Sequence, residues 1–433
     1  MDSNNTPPNR PIQGEPSKSK ASLIILLIEL GLAVIGINAA LGFSDTAIPM
    51  VLKQKGLSDT QNSLNFSLYL ISFIAGCFLV IPLFKKFPSR TVTFLSIMGI
   101  VMSLAALTVT THIFPIIIWY SIQGMCCAVI TIIFSNIITT VSDFIKNKGA
   151  FMGFFVASMS LGYYLGIEGF PILNNFHRYN SFLIMTLITI ISSIPMICSR
   201  DIYELMASGI KEIESSPVNF LSSLKSIYML PVAFFSIVIG GIDANTFVGL
   251  IPLWGLDQGY SAENSALLAT PIIMGGIVLT SFFGNFFDYF GYIKTALIYA
   301  TILIISFFVM HLAGFYFLTN TPIFMGMVLS PSLFIFGGIT NAFQSLYLCV
   351  LSEQFKGALL TGACAAAVCL GHIAAAIATP MCGYAMTHHG NHRLGLSLIF
   401  INGICILFFL FQLWQQKYKH QFPTEITSKT NKK

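Results

Sequence analysis

The segments Ile48–Ser58 (IPMVLKQKGLS) and Ile251–Ser261 (IPLWGLDQGYS) share one pattern, which is Ile-Pro at the start, Gly at the ninth position and Ser at the end. The two segments lie 203 residues apart in the chain. A match at so large an offset, in a chain of 433 residues, indicates two related halves.

Further matches support the duplication. At the same offset, Lys85-Lys86-Phe87-Pro88 falls opposite Asp288-Tyr289-Phe290-Gly291. Three other matches occur at slightly larger offsets, as expected after a few insertions: Leu161-Gly162 with Leu370-Gly371, Pro171 with Pro380, and Ser142-Asp143 with Ser352-Glu353.

The composition places both halves in a membrane. Of all residues, 55% are hydrophobic and only 9% are charged, whereas soluble domains carry about 25% charged residues. The mean hydropathy is +0.79. These values argue against a soluble enzyme and against a nucleic-acid-binding protein, and they favour many membrane spans.

Apolar runs predict twelve transmembrane helices, near residues 23–43, 62–84, 91–111, 114–140, 150–170, 180–199, 227–251, 264–287, 295–318, 322–351, 358–384 and 394–415. We therefore predict an all-α membrane protein with six-helix bundles at 23–199 and 227–415. The linker at 200–226 has apolar residues at helical spacing, which predicts an amphipathic helix on the cytoplasmic membrane surface. Residues 1–22 are predicted to form a disordered tail and residues 416–433 a basic tail, both cytoplasmic.

The positive charges orient these helices. If the N-terminus is cytoplasmic, 18 of the 22 Lys and Arg residues fall on the cytoplasmic side, and only Lys53, Lys55, Arg178 and Arg393 fall outside. This distribution follows the positive-inside rule and places both termini in the cytoplasm. No Lys or Arg falls inside a predicted span. The nine cysteines all lie in predicted helices, where we interpret them as packing residues.

With these features the chain resembles the major facilitator superfamily over essentially its full length. The segment Gly284–Lys294 (GNFFDYFGYIK) is similar to the G-x-x-x-D-R-x-G-R-K loop of that family, and Gln123-Gly124 is similar to its R-x-x-Q-G segment. The second half most resembles bacterial carriers of the YcaD-like type, in Ile251-Pro252-Leu253-Trp254, in the Asp288 loop and in Ser352-Glu353. The resemblance implies two bundles around a central cavity, with Asp288, Gly291 and Lys85 in the gating loops.

The chain also departs from the family pattern. In the first half the loop Asp is replaced by Lys85 and the loop Gly by Pro88, so the charge pairing of that gate is lost there. The Arg of the fourth helix would fall at Tyr120, which removes the positive member of the usual proton-coupling pair. The fifth helix lacks the Pro of the antiporter signature, which argues against drug efflux.

Four acidic residues are predicted inside or near the spans, and burial without a cationic partner would favour their protonated form. Asp243 is the deepest and the leading candidate for proton coupling, although a purely structural hydrogen bond is the alternative. Glu29 either faces inward or reaches the cytoplasmic interface, and Glu168 either couples protons or stabilises the end of its helix. Asp45 is expected to be solvated at the outer rim.

Neutral polar residues complete the candidate site. His372, in the eleventh span, is either a proton-coupling group or a packed neutral side chain. The candidates for the substrate cavity are amides, which could instead bridge helices: Asn38, Gln123, Asn136, Asn245, Asn341 and Gln344. His388, His389 and His392 cluster in the last outer loop, but no carboxylate is nearby, so we predict no metal site.

The predicted function is secondary active transport of a small solute by alternating access, coupled to protons as in a symporter. We expect a monomer in the inner membrane of a bacterium, with the lipid bilayer and the solute as partners and with no cofactor. Two alternatives stay open, an exporter of hydrophobic compounds and a non-transporting receptor with the carrier fold. An enzyme is not expected, because the sequence contains no H-E-x-x-H, G-x-S-x-G or phosphate-loop motif. A lack of buried Lys and Arg argues against polyanionic substrates.

Overall fold

A computed structural model gives the fold, and it describes residues 20–142, 148–174, 178–199, 220–257, 259–315, 329–355, 357–389 and 393–421. All secondary structure in these residues is helical. The first half contains α1 (Lys20–Gln54), α2 (Asp59–Lys86), α3 (Ser89–Val109), α4 (Ile113–Ser142), α5 (Lys148–Asn174) and α6 (Arg178–Cys198).

The helices of the second half are interrupted more often. Its elements are α7 (Phe220–Tyr228), α8 (Pro231–Ile242), a π-helical turn (Asp243–Phe247), α9 (Val248–Asp257), α10 (Ala262–Leu267), α11 (Thr270–Gly284), α12 (Phe286–Phe290), α13 (Tyr292–Phe315), α14 (Ser330–Gln354), α15 (Gly357–His389) and α16 (Arg393–Gln421). The seventh predicted span thus consists of α8, the π-turn and α9.

The helices account for the predicted spans. Ten of them, counted among the described residues, are long and apolar enough to cross a membrane. The two other predicted spans, 150–170 and 264–287, correspond to α5 and to the run from α10 to α12. Helix α1 begins at Lys20, three residues before the predicted start. Residues 200–219, which contain most of the predicted amphipathic helix, lie outside the described residues. The same holds for 1–19 and 422–433, which make up most of the two predicted tails.

The turn after the first span is repeated after the seventh. Gly56 and Gly259 have φ values of +91° and +86°, which a side chain would strain. In each turn the Gly N–H and the following N–H donate to carbonyls three and five residues back, at 2.9–3.2 Å, which is the Schellman helix stop. Ser58 and Ser261 then cap the next helices by accepting from the N–H three residues on. The sequence repeat is therefore also a repeat of local structure.

Helix packing is repeated in the same way. In the first half α1 packs against α5 and α6, α2 against α4, and α3 against α4 and α6. The corresponding pairs of the second half are α8 with α15 and α16, α11 with α14, and α13 with α14 and α16. Between the halves the main interfaces are α2 with α15 and α5 with α11, which the repeat also relates.

Close helix contacts depend on small residues. A Cβ atom at Gly166 of α5 would lie 2.1 Å from the Ala39 carbonyl oxygen of α1. At Gly241, before the π-turn, it would lie 2.5 Å from Cα of Gly371 in α15. Such backbone approaches bring helices into contact where lipid provides no hydrophobic driving force.

We predict that Gly166→Leu prevents the normal approach of α1 and α5. Overpacking against a backbone carbonyl costs about 1–3 kcal/mol or more, so the thermal unfolding midpoint of the purified protein should fall. Gly169→Leu is the matched control in the same helix, because a Cβ there would meet only Leu173 Cδ1 at 3.9 Å. Equal losses in the two variants would contradict the predicted contact.

Candidate functional site

A cavity of about 240 Å³ lies between the two halves. Side chains from α1, α2, α4 and α5 line it on one side, and side chains from α8, the π-turn, α9, α11, α14 and α15 line it on the other. Its ionisable residues, among those described, are Asp45, His372 and three tyrosines, Tyr69, Tyr163 and Tyr347. No Lys or Arg contributes to this described wall.

Asp45 lies in the cavity wall, so the expectation of a solvated rim position was wrong. Its Oδ1 accepts a hydrogen bond from the Tyr120 hydroxyl at 2.6 Å, and its Oδ2 accepts one from the Tyr163 hydroxyl at 2.9 Å. The three residues come from α1, α4 and α5 and are far apart in sequence. Asp45 is half-buried because one face of the group borders the cavity.

Tyr120 occupies the position at which the family pattern predicts an Arg. It is buried and stacks on Tyr69, with ring centroids 4.4 Å apart. Where the pattern has a cation, this chain therefore has a neutral hydroxyl bonded to Asp45. The departure at Tyr120 was visible in the sequence, but its partner was not.

Aromatic rings of α2 line the cavity next to Asp45. Phe66 stacks on Tyr69 at 5.7 Å, and Phe73 stacks on the His372 ring of α15 at 3.7 Å. The Nδ1–H of His372 donates to the Val368 carbonyl at 2.8 Å. A carbonyl can only accept, so in the neutral ring Nε2 is the remaining acceptor.

Four of the six predicted amides lie in the cavity wall, namely Asn38, Asn245, Asn341 and Gln344. Asn38 and Asn245 donate from Nδ2 to carbonyls of their own helices at 2.8 Å. Asn341 Nδ2 donates to Ser160 Oγ of α5 at 2.6 Å, and Gln344 Nε2 lies 3.9 Å from Met159 Sδ. The last two therefore join the halves at the level of the cavity.

The other two amides lie outside the residues that line the cavity. Gln123 is buried and donates from Nε2 to Ser44 Oγ at 3.0 Å, which joins α4 to α1. Asn136 accepts at Oδ1 from Thr361 Oγ1 at 3.0 Å, which joins α4 to α15. These contacts fit the alternative of bridging helices.

Asp243 is fully buried at the start of the π-turn and does not line the cavity. Its Oδ1 accepts from Asn402 Nδ2 of α16 at 3.0 Å. Among the described residues, Asp243 Oδ2 and Asn402 Oδ1 have no hydrogen-bond partner. Asn245, two residues later, reaches the cavity instead.

Glu29 and Glu168 are also apart from the cavity wall. Glu29 is half-buried and lies sixteen residues before Asp45 in α1, which is about 24 Å along the helix axis. Glu168 accepts from the Thr270 hydroxyl at the start of α11 and so joins the halves.

Contacts between the halves lie on both sides of the cavity. On the predicted outer side, Lys53 Nζ lies 3.1 Å from Asp257 Oδ1, at the ends of α1 and α9, and Thr60 Oγ1 lies 2.9 Å from Thr387 Oγ1. On the predicted inner side, the Asn136–Thr361 hydrogen bond joins the last third of α4 to the start of α15.

The predicted gating loop, Gly284–Lys294, contains α12 and turns at Gly291, whose φ is +75°. The hydroxyl of Tyr292, the next residue, donates to Glu353 Oε1 near the end of α14. Lys85 is exposed near the end of α2. Asp288 belongs to α12, but the structure does not describe its side chain.

The histidine cluster is described only in part. His388 and His389 are exposed at the end of α15, and the His388 ring lies 4.3 Å from that of Tyr384. His392 lies outside the described residues.

A family model supports the resemblance seen in the sequence, because the model described as Major Facilitator Superfamily matches residues 30–372. The chain belongs to the major facilitator superfamily. It is accordingly a multi-pass membrane protein of a family of secondary transporters. No curated protein matches the chain in a search by sequence.

Solved structures show the same superfamily fold. One is titled as the proton:xylose symporter XylE bound to 6-bromo-6-deoxy-D-glucose, with a TM-score of 0.63 and 17% identity over 91% of this chain and 96% of that one. A second is titled as a D-xylose-proton symporter, with a TM-score of 0.66 and 17% identity over 90% and 97% of the two chains. At this identity the similarity concerns the fold alone.

We predict that the Lys53–Asp257 ion pair holds the outer ends of α1 and α9 together. A partly exposed pair is worth about 0.2–1 kcal/mol. Lys53→Asp should therefore increase deuterium exchange in peptides covering 251–261, because local opening becomes more frequent. The charge swap Lys53→Asp with Asp257→Lys should restore protection, and Lys55→Asp, at an exposed Lys of the same turn, is the control. An effect of Lys55→Asp as large as that of Lys53→Asp would contradict the assignment.

Proposed function

We propose that the protein is a proton-coupled secondary transporter of a small solute, working by alternating access. The observation that carries the proposal is Asp45, a carboxyl group in the wall of the central cavity whose described partners are neutral hydroxyls. The proposal includes a likeness to YcaD-like carriers. It also places the protein in the inner membrane of a bacterium, as a monomer.

The arrangement of the halves supports alternating access. The cavity lies between two related bundles, and contacts join the bundles both above and below it. Loss of the Lys53–Asp257 contact would open the cavity to the predicted outer face of the membrane. Loss of the Asn136–Thr361 contact would open it to the predicted inner face. Such rocking of repeats about a midplane site is the usual motion of carriers with this plan.

The surroundings of Asp45 support proton binding. Tyrosine hydroxyls both donate and accept hydrogen bonds. Tyr120 and Tyr163 can therefore donate to the carboxylate, and a rotation of one hydroxyl lets it accept from the protonated acid. Both protonation states keep hydrogen-bond partners, which a group that loads and releases a proton requires.

The size of the cavity favours a small solute. Its volume of about 240 Å³ lies below the range of about 300–1,000 Å³ typical of sites for drug-sized molecules. This argues against the alternative of a transporter for bulky hydrophobic compounds.

Asp243 stays a second proposed proton site. It cannot touch a solute in the cavity, but it lies at the turn that carries Asn245 into the wall. Protonation of Asp243 would change its bond to Asn402, and with it the shape of the π-turn.

We predict that Asp45→Asn abolishes solute-driven proton movement, because an amide neither binds nor releases a proton at physiological pH. The measurement uses proteoliposomes that contain a fluorescent pH indicator and are challenged with pools of small metabolites. Lys55→Gln is the control, since it removes a charge from an exposed side chain that does not line the cavity. Undiminished proton movement in Asp45→Asn would exclude this residue as the coupling group.

For Asp243→Asn we predict loss of accumulation driven by a pH gradient, with exchange of internal for external solute retained. The reason is that Asp243 lies outside the cavity wall, so solute binding should persist without coupling. Both fluxes are measured with a radiolabelled solute identified in the pools. Normal accumulation in this variant would leave Asp45 as the sole proposed proton site.

A further inference from the structure

Three amides of the cavity wall have carbonyl oxygens that can accept hydrogen bonds from a ligand. Asn38 and Asn245 donate their NH₂ groups to backbone carbonyls, which fixes the orientation of each amide because a carbonyl cannot donate. Asn341 donates to Ser160 Oγ, whose own hydrogen bonds to the Val156 carbonyl. Each of the three amides thus keeps its oxygen as an acceptor and one further N–H as a donor.

Asp45 adds negative charge to this wall. Each of its oxygens accepts one hydrogen bond from a tyrosine, whereas a carboxylate has about four lone-pair positions. Each oxygen therefore has capacity for a further donor. No Lys or Arg of the described wall competes for that capacity, and Tyr120 stands where the family pattern has an Arg.

The rings beside Asp45 suit a cation as well. Tyr69 lines the cavity and lies against Tyr120, which binds Asp45. Phe66 and Phe73 extend the aromatic wall along α2. Aromatic faces attract ammonium groups, and they also pack against the apolar part of a ligand.

We propose that the cavity binds a small organic cation, with a protonated amine at Asp45 and an apolar or aromatic body against the rings of α2. This assignment rests on the proposed function, since it names the substrate class of the same cavity. An ammonium group supplies three donors and one positive charge, which matches the free acceptors and the carboxylate. An anion would meet no positive charge on the described wall. A neutral alcohol supplies one donor and no positive charge.

The proposal has a consequence for coupling. A proton and an ammonium group neutralise the same carboxylate, so binding of the amine releases the proton that Asp45 carried. The two ions are then exchanged, in contrast to the symport expected from the sequence. Affinity for the amine should fall as the pH is lowered, because protonated Asp45 has no charge to offer.

Three probes of one size separate charge from shape: phenylethylamine, 2-phenylethanol and phenylacetate. Their binding to the purified full-length protein is measured by isothermal titration calorimetry at pH 7.5 and 5.5. We expect the amine to bind at least about tenfold more tightly than the alcohol, since bonds to charged groups exceed neutral ones by this factor. Phenylacetate should not bind, and the preference for the amine should shrink at pH 5.5.

Variants assign the preference to Asp45. Asp45→Asn should reduce binding of the amine to that of the alcohol, and Lys55→Gln, at an exposed residue outside the cavity wall, should leave binding of the amine unchanged. If Asp45→Asn fails to fold, the weaker binding of the amine by the unmodified protein at pH 5.5 than at pH 7.5 tests the role of Asp45.

Equal binding of amine and alcohol, tighter binding of phenylacetate, or binding of none of the three would overturn the proposal. If solute-driven proton movement is nevertheless seen with metabolite pools, the transport function stands and only the substrate class is wrong.

Discussion

The hydrocarbon interior of a bilayer offers no hydrogen-bond partner, and this constraint shapes the whole chain. Backbone groups are satisfied within helices, and the polar side chains in the spans bond largely to backbone carbonyls or to one another. Thr and Ser side chains along α2, α4, α5 and α6 donate to carbonyls three or four residues back. The few polar groups that bond across helices, such as Asp45 with Tyr120, are therefore the ones that define positions between helices.

Close packing of the helices depends on the same constraint. Because lipid tails are as apolar as side chains, burial of apolar surface does not by itself draw helices together in a membrane. Small residues replace that driving force by letting backbones approach, as Gly166 does at Ala39 and Gly241 does at Gly371. The contacts belong to corresponding helix pairs of the two halves, α1 with α5 and α8 with α15. The cavity is formed where these pairs face each other.

Asp45 and Asp243 lie in spans that the duplication relates, but their surroundings differ. Asp45 has hydroxyl partners and borders the cavity, so it can meet a solute, whereas Asp243 is enclosed between the π-turn and α16. Both lie in spans related by the duplication, the first and the seventh. The first span carries its carboxylate toward the cavity, and the seventh carries Asn245 there instead. A duplicated architecture has thus kept its packing while its polar groups diverged.

The sequence by itself determined the helical class and the number of halves, because hydropathy and an internal repeat can be read directly along the chain. It also identified four amides and His372 of the cavity wall and noted the missing Arg at Tyr120. Only the tertiary structure decided which polar groups meet. Tyr120 and Tyr163 lie 75 and 118 residues after Asp45 in the sequence, and no local pattern relates the three residues. The π-turn was equally hidden: hydropathy marked Asp243 as deep without revealing the turn that begins there or that Asp243 lies outside the cavity wall.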